Sequence, residues 1–210
     1  MENRLFQREN LRLKPLADRV HDLDISCILV LDSKRKLAND SKWKKVAEHV
    51  VCAKEKKSAT IIMIGGHVIR SGVQNYLIDL MERGYISCLA MNGAGLIHDF
   101  EFSLIGATTE SVAKYIKEGQ FGLWKETGAI NDIANEAFKK DRNCGMGEAV
   151  GRAIDVGNFP YKKNSLLAAA VRCNVPLTVH IGIGYDIIHE HPNFDGAASG
   201  ALSYNDFLIF

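Results

Sequence analysis

The stretch from residue 58 to residue 99 constrains the fold of this chain more than any other. It predicts a strand at 59–64, a turn at 65–67 and a helix that starts near Ser71. A second strand at 86–91 and a second turn at 92–95 follow. This order is a βαβ unit, whose two strands run parallel and end at the same edge of a sheet. Ligands of open α/β sheets bind beyond the carboxyl ends of the strands, so we expect the functional site at this edge.

The apolar pattern on either side of this unit predicts further strands and helices. Residues 25–31 and 177–181 are apolar, β-branched runs of the kind that form buried strands. Apolar residues at helical spacing predict five helices, at 40–56, 97–104, 127–140, 145–154 and 166–172, and Thr108 or Thr109 is the predicted cap of another. Together these elements predict an α/β fold, a Rossmann-like parallel sheet with helices on both faces.

Length and composition are those of one folded domain. The 210 residues suit a single α/β domain that is preceded by a short N-terminal arm of about residues 1–24. With 47% apolar residues, 24% charged residues and a net charge of +1, the chain offers no electrostatic reason to expect nucleic acid or a membrane as partner. Because residues 205–210 form an apolar run, we expect the full protein to continue beyond residue 210.

The cysteines and the N-terminus predict a cytoplasmic protein. The five cysteines are scattered and include no C-x-x-C pair, so we expect reduced thiols rather than a disulfide framework. No apolar run approaches the roughly 20 residues that span a bilayer. The charged N-terminus lacks the apolar segment of a secretory signal.

Small residues at the strand ends supply the candidate cofactor site. Glycine at a strand-to-helix turn lets the backbone approach a ligand, and free N–H groups at the start of a helix can bind phosphate. The residues predicted to contact a cofactor are Gly65, Gly66, Ser71, Gly72, Asn92, Gly93, Ala94 and Gly95. A third glycine-containing turn, 182–186, follows the last predicted strand. Any βα turn favours glycine, so a plain structural turn is the alternative at each place.

Ionisable residues beside the second and third turns are the candidates for chemistry. His98 follows the second turn, and His180 and Asp186 flank the third. Imidazole titrates near neutral pH, so His98 and His180 are the candidate acid–base groups, with Asp186 as a third catalytic candidate. The alternatives are an exposed helix position for His98 and a hydrogen-bonded core histidine for His180.

A metal site is a further hypothesis for the region around the third turn. Its four candidate ligands are His180, Asp186, His189 and His191. Histidines two positions apart share a face on a strand but not on a helix, and H-x-H without a fixed third ligand is a weak pattern. The chain has no G-x-S-x-G, H-E-x-x-H or P-loop motif, which argues against those hydrolase, zinc-protease and P-loop classes.

The order of the motifs resembles the deoxyhypusine synthase family. In that family a Ser-Gly opens a helix, as at Ser71-Gly72, and a later strand ends in T-T-A-G-G-x-E-E-D, where residues 91–99 of this chain read M-N-G-A-G-L-I-H-D. Residues 164–177 and 184–187 are similar to the family's helix followed by N-I-P-V-F and to its G-D-M-I. The similarity spans roughly residues 58–188.

This resemblance implies an NAD-dependent transferase or oxidoreductase that assembles as a homotetramer. It implies that NAD lies against Ser71, Gly72 and the turn 92–94, and that His98 and Asp186 face the substrate. Ile97 and His98 stand where the family has the paired glutamates that bind a polyamine, and no lysine takes the role of its nucleophile.

The function that we expect from the sequence is therefore that of a divergent NAD-binding enzyme. It would transfer or oxidise at a C–N bond of a small amine, whose identity the sequence does not give. The alternatives are a non-catalytic nucleotide-binding or regulatory module and a metal-dependent enzyme that uses His180, Asp186, His189 and His191.

Overall fold

A computed structural model, which describes residues 5–32 and 41–210, has the predicted α/β architecture. The main sheet contains three parallel strands in the order β2-β3-β5: β2 is Ile61–Ile64, β3 is Cys88–Asn92 and β5 is Leu177–His180. A small antiparallel sheet pairs β1, His21–Asp24, with β4, Ala107–Glu110.

Nine α-helices and five 3₁₀ turns of the described residues surround these strands. The α-helices are α1 Ser41–Glu55, α2 Gly66–Arg70, α3 Gln74–Glu82, α4 Gly93–Ile105, α5 Val112–Lys117, α6 Ala129–Lys140, α7 Met146–Val156, α8 Leu166–Cys173 and α9 Gly196–Ile209. The 3₁₀ turns are Arg8–Asn10, Leu16–Asp18, Ile25–Cys27, Lys162–Asn164 and Ile187–Glu190. No helix within 5–32 and 41–210 is long and apolar enough to cross a membrane. The cytoplasmic location stays a prediction.

The register of the main sheet brings three strand ends to one edge, as predicted. Ile64 pairs with Met91, and Asn92 pairs with His180, so the chain leaves β2, β3 and β5 at nearly the same level. Two of these exits lead directly into helices, because α2 begins at Gly66 and α4 begins at Gly93.

The helical part of this unit begins earlier than predicted. The helix predicted from near Ser71 corresponds to α3, Gln74–Glu82, but another helix, α2, begins at Gly66. Ser71 lies at the carboxyl end of α2, where its hydroxyl donates to the Val68 carbonyl at 2.6 Å. The reason is Gly72, whose φ of +77° ends the helix and whose backbone packs so closely on Cys27 that no Cβ fits. The βαβ connection therefore contains two helices, α2 and α3, instead of one.

The core lies between the main sheet and the helices that pack on it. Leu89 and Met91 of β3 and Phe100 of α4 are fully buried, and Phe100 meets Phe159 edge-to-face with ring centroids 5.3 Å apart. Ser165 caps α8, accepting from the Ala168 N–H at 3.1 Å. The helices predicted over 40–56, 127–140 and 145–154 are confirmed as α1, α6 and α7.

The strand predicted over 25–31 is wrong. The Asp24 carboxylate accepts from the Ser26 N–H at 2.8 Å and caps a 3₁₀ turn, Ile25–Cys27, after which the chain is irregular and Val30 is 75% exposed. The strand lies just before this run, as β1. Thr108 and Thr109 likewise belong to β4 and do not cap a helix, and Ser111 is the residue that precedes α5.

Helix α9 covers the free edge of β5, which would otherwise expose unpaired backbone groups. Asp206 accepts from the Val179 N–H at 2.7 Å and from the Gly147 N–H at 2.9 Å. The Ser203 hydroxyl donates to the Val179 carbonyl at 3.0 Å and accepts from the Ile181 N–H at 2.9 Å. The apolar run 205–210 is the last part of this helix, and Phe207 and Leu208 are exposed.

Asp206 predicts a pH dependence of stability. Burial raises the pKa of Asp206 to about 7, against the lowering effect of the N–H groups of Gly147, Val179 and Met146. The folded state therefore keeps a proton that the unfolded chain releases, so this contribution is present at low pH and is lost as pH rises through 7. We expect the unfolding free energy to fall from pH 6 to pH 7 with a slope that approaches about 1.4 kcal/mol per pH unit.

Urea denaturation of the wild type and of Asp206→Asn at pH 6, 7 and 8 measures this slope. The variant has no ionisable group at this position, so its unfolding free energy changes less over the same range. Asp99 and Asp186, whose pKa values burial raises to about 6, act in the same direction at lower pH and are unchanged in the variant. Equal slopes in both proteins would contradict the assignment to Asp206.

Candidate functional site

A cavity of about 250 Å³ lies beside the carboxyl ends of the main strands. Its walls come from α4, the end of α2, β4 and the turn 185–187, which follows β5. Ala94, Ile97, His98 and Glu101 share one face of α4, since helix residues three and four apart are neighbours. The remaining polar walls are Arg19, Arg70, Thr109, Glu110, Tyr185 and Asp186.

Two of the three predicted catalytic residues, His98 and Asp186, line this cavity together. Asn92 accepts from the Gly95 N–H at 3.0 Å and caps α4, and this start of the helix directs His98 towards the cavity. Asp186 follows β5 and caps the 3₁₀ turn Ile187–Glu190. The sequence identified both residues because each follows a strand end.

His98 is a neutral imidazole at pH 7. Burial first, and then the nearby charges of Arg70, Arg19 and His67, lower the pKa of His98 to about 4, although Glu101 acts in the opposite direction. The Nδ1 atom of His98 lies 2.8 Å from the Thr108 hydroxyl. Among the described residues no hydrogen-bond partner of the other ring nitrogen, Nε2, is present.

A buried ion pair between Arg19 and Glu101 supports the cavity wall. The two guanidinium nitrogens Nη1 and Nη2 donate to the two carboxylate oxygens at 2.8 and 2.7 Å, and the hydroxyls of Thr108 and Thr127 donate to the same oxygens at 2.7 Å. Burial raises the pKa of Glu101, but the hydrogen bonds and charge of Arg19 and both hydroxyls outweigh it and hold the pKa below its usual value. Glu101 is therefore ionised and accepts four hydrogen bonds.

The sequence did not reveal this ion pair. Arg19 lies in the charged N-terminal arm, 82 positions from its partner. The signal for it was a glutamate between Phe100 and Phe102 in a mostly apolar helix. An acidic residue at such a position is buried only when it is paired.

The carboxylate of Asp186 covers the amino end of α4. A Cβ on Gly93 would overlap this carboxylate, so only glycine fits at the first position of the helix. Burial raises the pKa of Asp186 to about 6. Its second neighbour is His189, whose Nε2 lies 3.7 Å from the carboxylate and whose pKa burial lowers.

Two polar atoms at this cavity have no partner in the part of the chain that the structure describes. They are Nε of Arg70 and the hydroxyl oxygen of Thr109, and both are buried. Thr109 also has a φ of +66°, a left-handed conformation that β-branched residues rarely adopt. Buried polar atoms normally have hydrogen-bond partners, so Arg70 and Thr109 are the two residues of the cavity wall whose polar groups remain unsatisfied among the described residues.

The predicted cofactor residues divide into two groups. At the edge of the sheet, Gly65 has room for a side chain, and Gly66 allows α2 to pack closely on His98 and Ala94. The turn formed by Asn92, Gly93, Ala94 and Gly95 starts α4 beside the cavity. Ser71 and Gly72 lie at the other end of α2, because the helix begins earlier than predicted.

The structure does not bring His180 to the cavity. Its Nε2 lies 3.0 Å from the Thr178 hydroxyl, and its ring packs edge-to-face on Phe210 with centroids 5.3 Å apart. Asp99 also points elsewhere and caps α8, accepting from the Ser165 hydroxyl at 2.6 Å and from the N–H of Leu166 at 2.8 Å.

The proposed metal ligands are not assembled either. His191 is fully buried, and its Nε2 lies 2.7 Å from the Gly122 carbonyl. His189 accepts from the Gly184 N–H at 3.0 Å. Over residues 5–32 and 41–210, no group of three His, Cys, Asp or Glu side chains is placed to hold a metal ion.

Comparison with known proteins identifies the family. Residues 44–178 match the family model described as arginine dihydrolase ArgZ-like, C-terminal, Rossmann fold. The chain belongs to this family. The ArgZ-like match covers β2, β3, α4 and the first two residues of β5, so most of the main sheet and the cavity wall on α4 lie within the matched region. No curated protein sequence matches the chain.

Solved structures of ArgZ and AgrE are similar to this ArgZ-like domain. Unliganded AgrE has a TM-score of 0.50 and 17% identity, over 80% of this chain and 22% of that one. ArgZ, an arginine dihydrolase from the ornithine-ammonia cycle in cyanobacteria, has a TM-score of 0.48 and 16% identity, over 76% of this chain and 21% of that one. A ternary complex of AgrE with ornithine and NAD⁺ has a TM-score of 0.45 and 16% identity, over 80% of this chain and 23% of that one. The chain spans about a fifth of the length of these proteins.

The ArgZ-like match corrects the resemblance to deoxyhypusine synthase, which is wrong. Small residues at the ends of parallel strands suit Rossmann-like sheets of different families, so the order of these motifs does not identify the family. The transferase and homotetramer predictions were implied by that resemblance alone and lose their support with it.

Proposed function

We propose that this ArgZ-like domain binds NAD at the carboxyl edge of the main sheet and acts at a C–N bond of a small amine held in the cavity. One observation carries the proposal: two residues that line the cavity at this edge, Arg70 and Thr109, each have a buried polar atom without a partner among the described residues. AgrE, which shares the fold, has been crystallised with ornithine and NAD⁺.

The residues that would hold NAD are those that start the two helices at the edge. Gly65 and Gly66 precede and open α2, and the turn 92–95 opens α4. The backbone N–H groups at the start of α2 favour anionic groups such as a pyrophosphate, whereas the Asp186 carboxylate already covers the start of α4. NAD⁺, when bound, would supply the nicotinamide ring that accepts a hydride from the carbon beside the amine nitrogen.

The charges of the cavity suit a molecule with an amine and a carboxylate. Arg70 offers a guanidinium to a carboxylate, and Asp186 and Glu110 are acidic groups that attract a protonated amine. Neutral His98 adds a hydrogen-bond acceptor without a positive charge of its own. Ornithine, which AgrE binds together with NAD⁺, has both groups and is the first amine to test.

A substitution at Gly65 tests the cofactor site. An added Cβ would lie 3.7 Å from the Asn92 amide nitrogen, an ordinary contact, so Gly65→Ala leaves the fold intact. The methyl group would stand where the backbone must approach the cofactor, and we expect at least a tenfold weaker NAD⁺ affinity, about 1.4 kcal/mol. Isothermal titration calorimetry measures the affinity.

Gly196→Ala is the matched control, since its Cβ would lie 3.7 Å from the Phe194 ring at the start of α9. This variant should bind NAD⁺ as the wild type does. NAD⁺ at a hundred times its Kd should also stabilise the wild type by about 2.7 kcal/mol. Equal affinity of both alanine variants would refute the assignment of Gly65, and no binding at millimolar NAD⁺ would refute the cofactor.

Turnover distinguishes an enzyme from a nucleotide-binding module. With NAD⁺ and ornithine, an enzyme that oxidises the C–N bond and releases its product produces NADH, which absorbance at the NADH band detects. NAD⁺ binding without any reaction on ornithine or related amines favours the module.

A further inference from the structure

Four side chains form a continuous hydrogen-bonded chain along the wall of the cavity. Arg19 donates to Glu101, and Thr108 Oγ1 lies 2.7 Å from Glu101 Oε2 and 2.8 Å from His98 Nδ1. Thr108 and Glu101 are almost completely buried, and His98 stands at the cavity end. The chain connects β4 to α4, and two further side chains bond to it: Thr127 donates to Glu101, and Arg19 donates to His21.

The direction of each hydrogen bond follows from the number of protons available. An ionised carboxylate only accepts, so the single hydroxyl proton of Thr108 must point to Glu101. Thr108 can then only accept from His98, which requires the proton of the neutral ring to be on Nδ1. Hence Nε2 carries the lone pair.

We propose that Thr108 is a positioning residue that fixes His98 in the Nδ1–H tautomer, so that Nε2 accepts a hydrogen bond from a ligand in the cavity. The tautomer follows from the side-chain geometry alone, whereas the ligand contact rests on the proposed function. The group that Nε2 selects is a donor, such as an ammonium or a hydroxyl, and an acceptor-only group such as a carboxylate is disfavoured there.

The charges that face His98 keep it in this neutral form. Arg19, Arg70 and His67 oppose a positive charge on the ring, and Glu101 favours it. The Glu101 carboxylate is already paired with Arg19, which limits its effect on His98. His98 is therefore a hydrogen-bond acceptor that orients the ligand, and no proton needs to leave Nδ1.

The tautomer can be measured directly on the protein without ligand. Two-bond ¹H–¹⁵N correlation spectra distinguish a protonated from an unprotonated ring nitrogen, and we expect Nδ1 protonated and Nε2 unprotonated in the wild type at pH 7. In Thr108→Val, which removes the hydroxyl and keeps the shape, we expect the two tautomers to mix. Thr108→Ser, which keeps the hydroxyl, should restore the wild-type spectrum.

Thr127→Val is the matched control. Thr127 donates to the other oxygen of Glu101, at 2.7 Å, and has no hydrogen bond with His98, so this variant loses an equivalent hydrogen bond and should keep the Nδ1–H tautomer. A wild-type spectrum with the proton on Nε2, or an unchanged spectrum in Thr108→Val, would overturn the proposal. The wild-type spectrum alone shows which ring nitrogen of His98 carries the proton, so the proposal can be tested even where Thr108→Val fails to fold.

Titration with ornithine tests the ligand contact. We expect the Nε2 resonance to shift on binding, and the affinity of Thr108→Val to fall about tenfold while that of Thr127→Val stays near the wild type. If ornithine fails to bind but the tautomer is as stated, the proposed substrate is wrong and the positioning role of Thr108 stands. If ornithine binds without a change at Nε2, the ligand contact of His98 is wrong.

Discussion

Replacing Arg19 with methionine is expected to lower the unfolding free energy by about 3–5 kcal/mol. The substitution removes two charged hydrogen bonds and leaves the Glu101 carboxylate buried without its countercharge. A buried charge without a partner is costly, because the protein interior solvates it poorly. Urea denaturation at pH 7 gives the loss of stability.

The matched control for this change is Arg12→Met. Arg12 lies in the same N-terminal arm but is exposed, so its substitution should alter stability by no more than about 0.5 kcal/mol. Adding Glu101→Leu to Arg19→Met should restore part of the loss, since no charge then remains buried. Similar losses in Arg19→Met and Arg12→Met would show that the ion pair contributes nothing specific.

Replacing Trp124 with alanine has the second large expected effect, a loss of about 3–5 kcal/mol. Trp124 is 1% exposed, packs edge-to-face on Tyr115 with centroids 5.0 Å apart, and donates from Nε1 to Glu110 at 2.7 Å. Together with Leu16 these two aromatic rings form a small second core, beside the cavity. Truncation would leave a large void and remove one donor from Glu110.

Trp124→Phe separates packing from hydrogen bonding. It keeps an aromatic ring in the second core and loses the N–H donor, so we expect a smaller loss of about 1 kcal/mol. Thermal denaturation of both variants gives the comparison. If phenylalanine destabilises as much as alanine, the hydrogen bond to Glu110 outweighs the packing, contrary to this expectation.

These two substitutions concern the part of the structure that the sequence described least well. The N-terminal arm was predicted only as a short charged segment, yet Leu16 and Arg19 are buried and β1 pairs with β4. An arm of this kind has no periodic apolar pattern of its own. Its structure depends on residues that lie far along the chain, such as Glu101 and Trp124, and a local pattern does not contain them.

The main sheet was predictable because its signals are local. The apolar strands end in glycine or asparagine, and the following helices have apolar residues at helical spacing. The strand predicted at 25–31 failed because apolar residues alone do not separate a strand from an extended segment, and Asp24 caps a turn there. Helix α2 was missed because Gly66, which opens it, was predicted to lie in a turn, and Gly72, which follows its end, was predicted to lie at the start of the next helix.

The candidate site was only partly predictable. His98 and Asp186 were found because each follows a strand end, and the parallel sheet brings those ends together. His180 was chosen for the same reason. It is the last residue of β5, but its ring packs on Phe210 instead of lining the cavity. Thr108 and Thr109 were missed as site residues, since their roles depend on burial and on backbone geometry that no motif encodes.

Titration of the ¹⁵N-labelled protein with NAD⁺, followed by ornithine, tests the proposed site most directly. We expect NAD⁺ to shift the amide resonances of Gly65, Gly66 and the turn 92–95 in a saturable way. Ornithine should then shift the ring resonances of His98 and leave those of His180 unchanged. Saturable binding whose shifts lie away from this edge, or no shifts at millimolar NAD⁺, would contradict the proposed site.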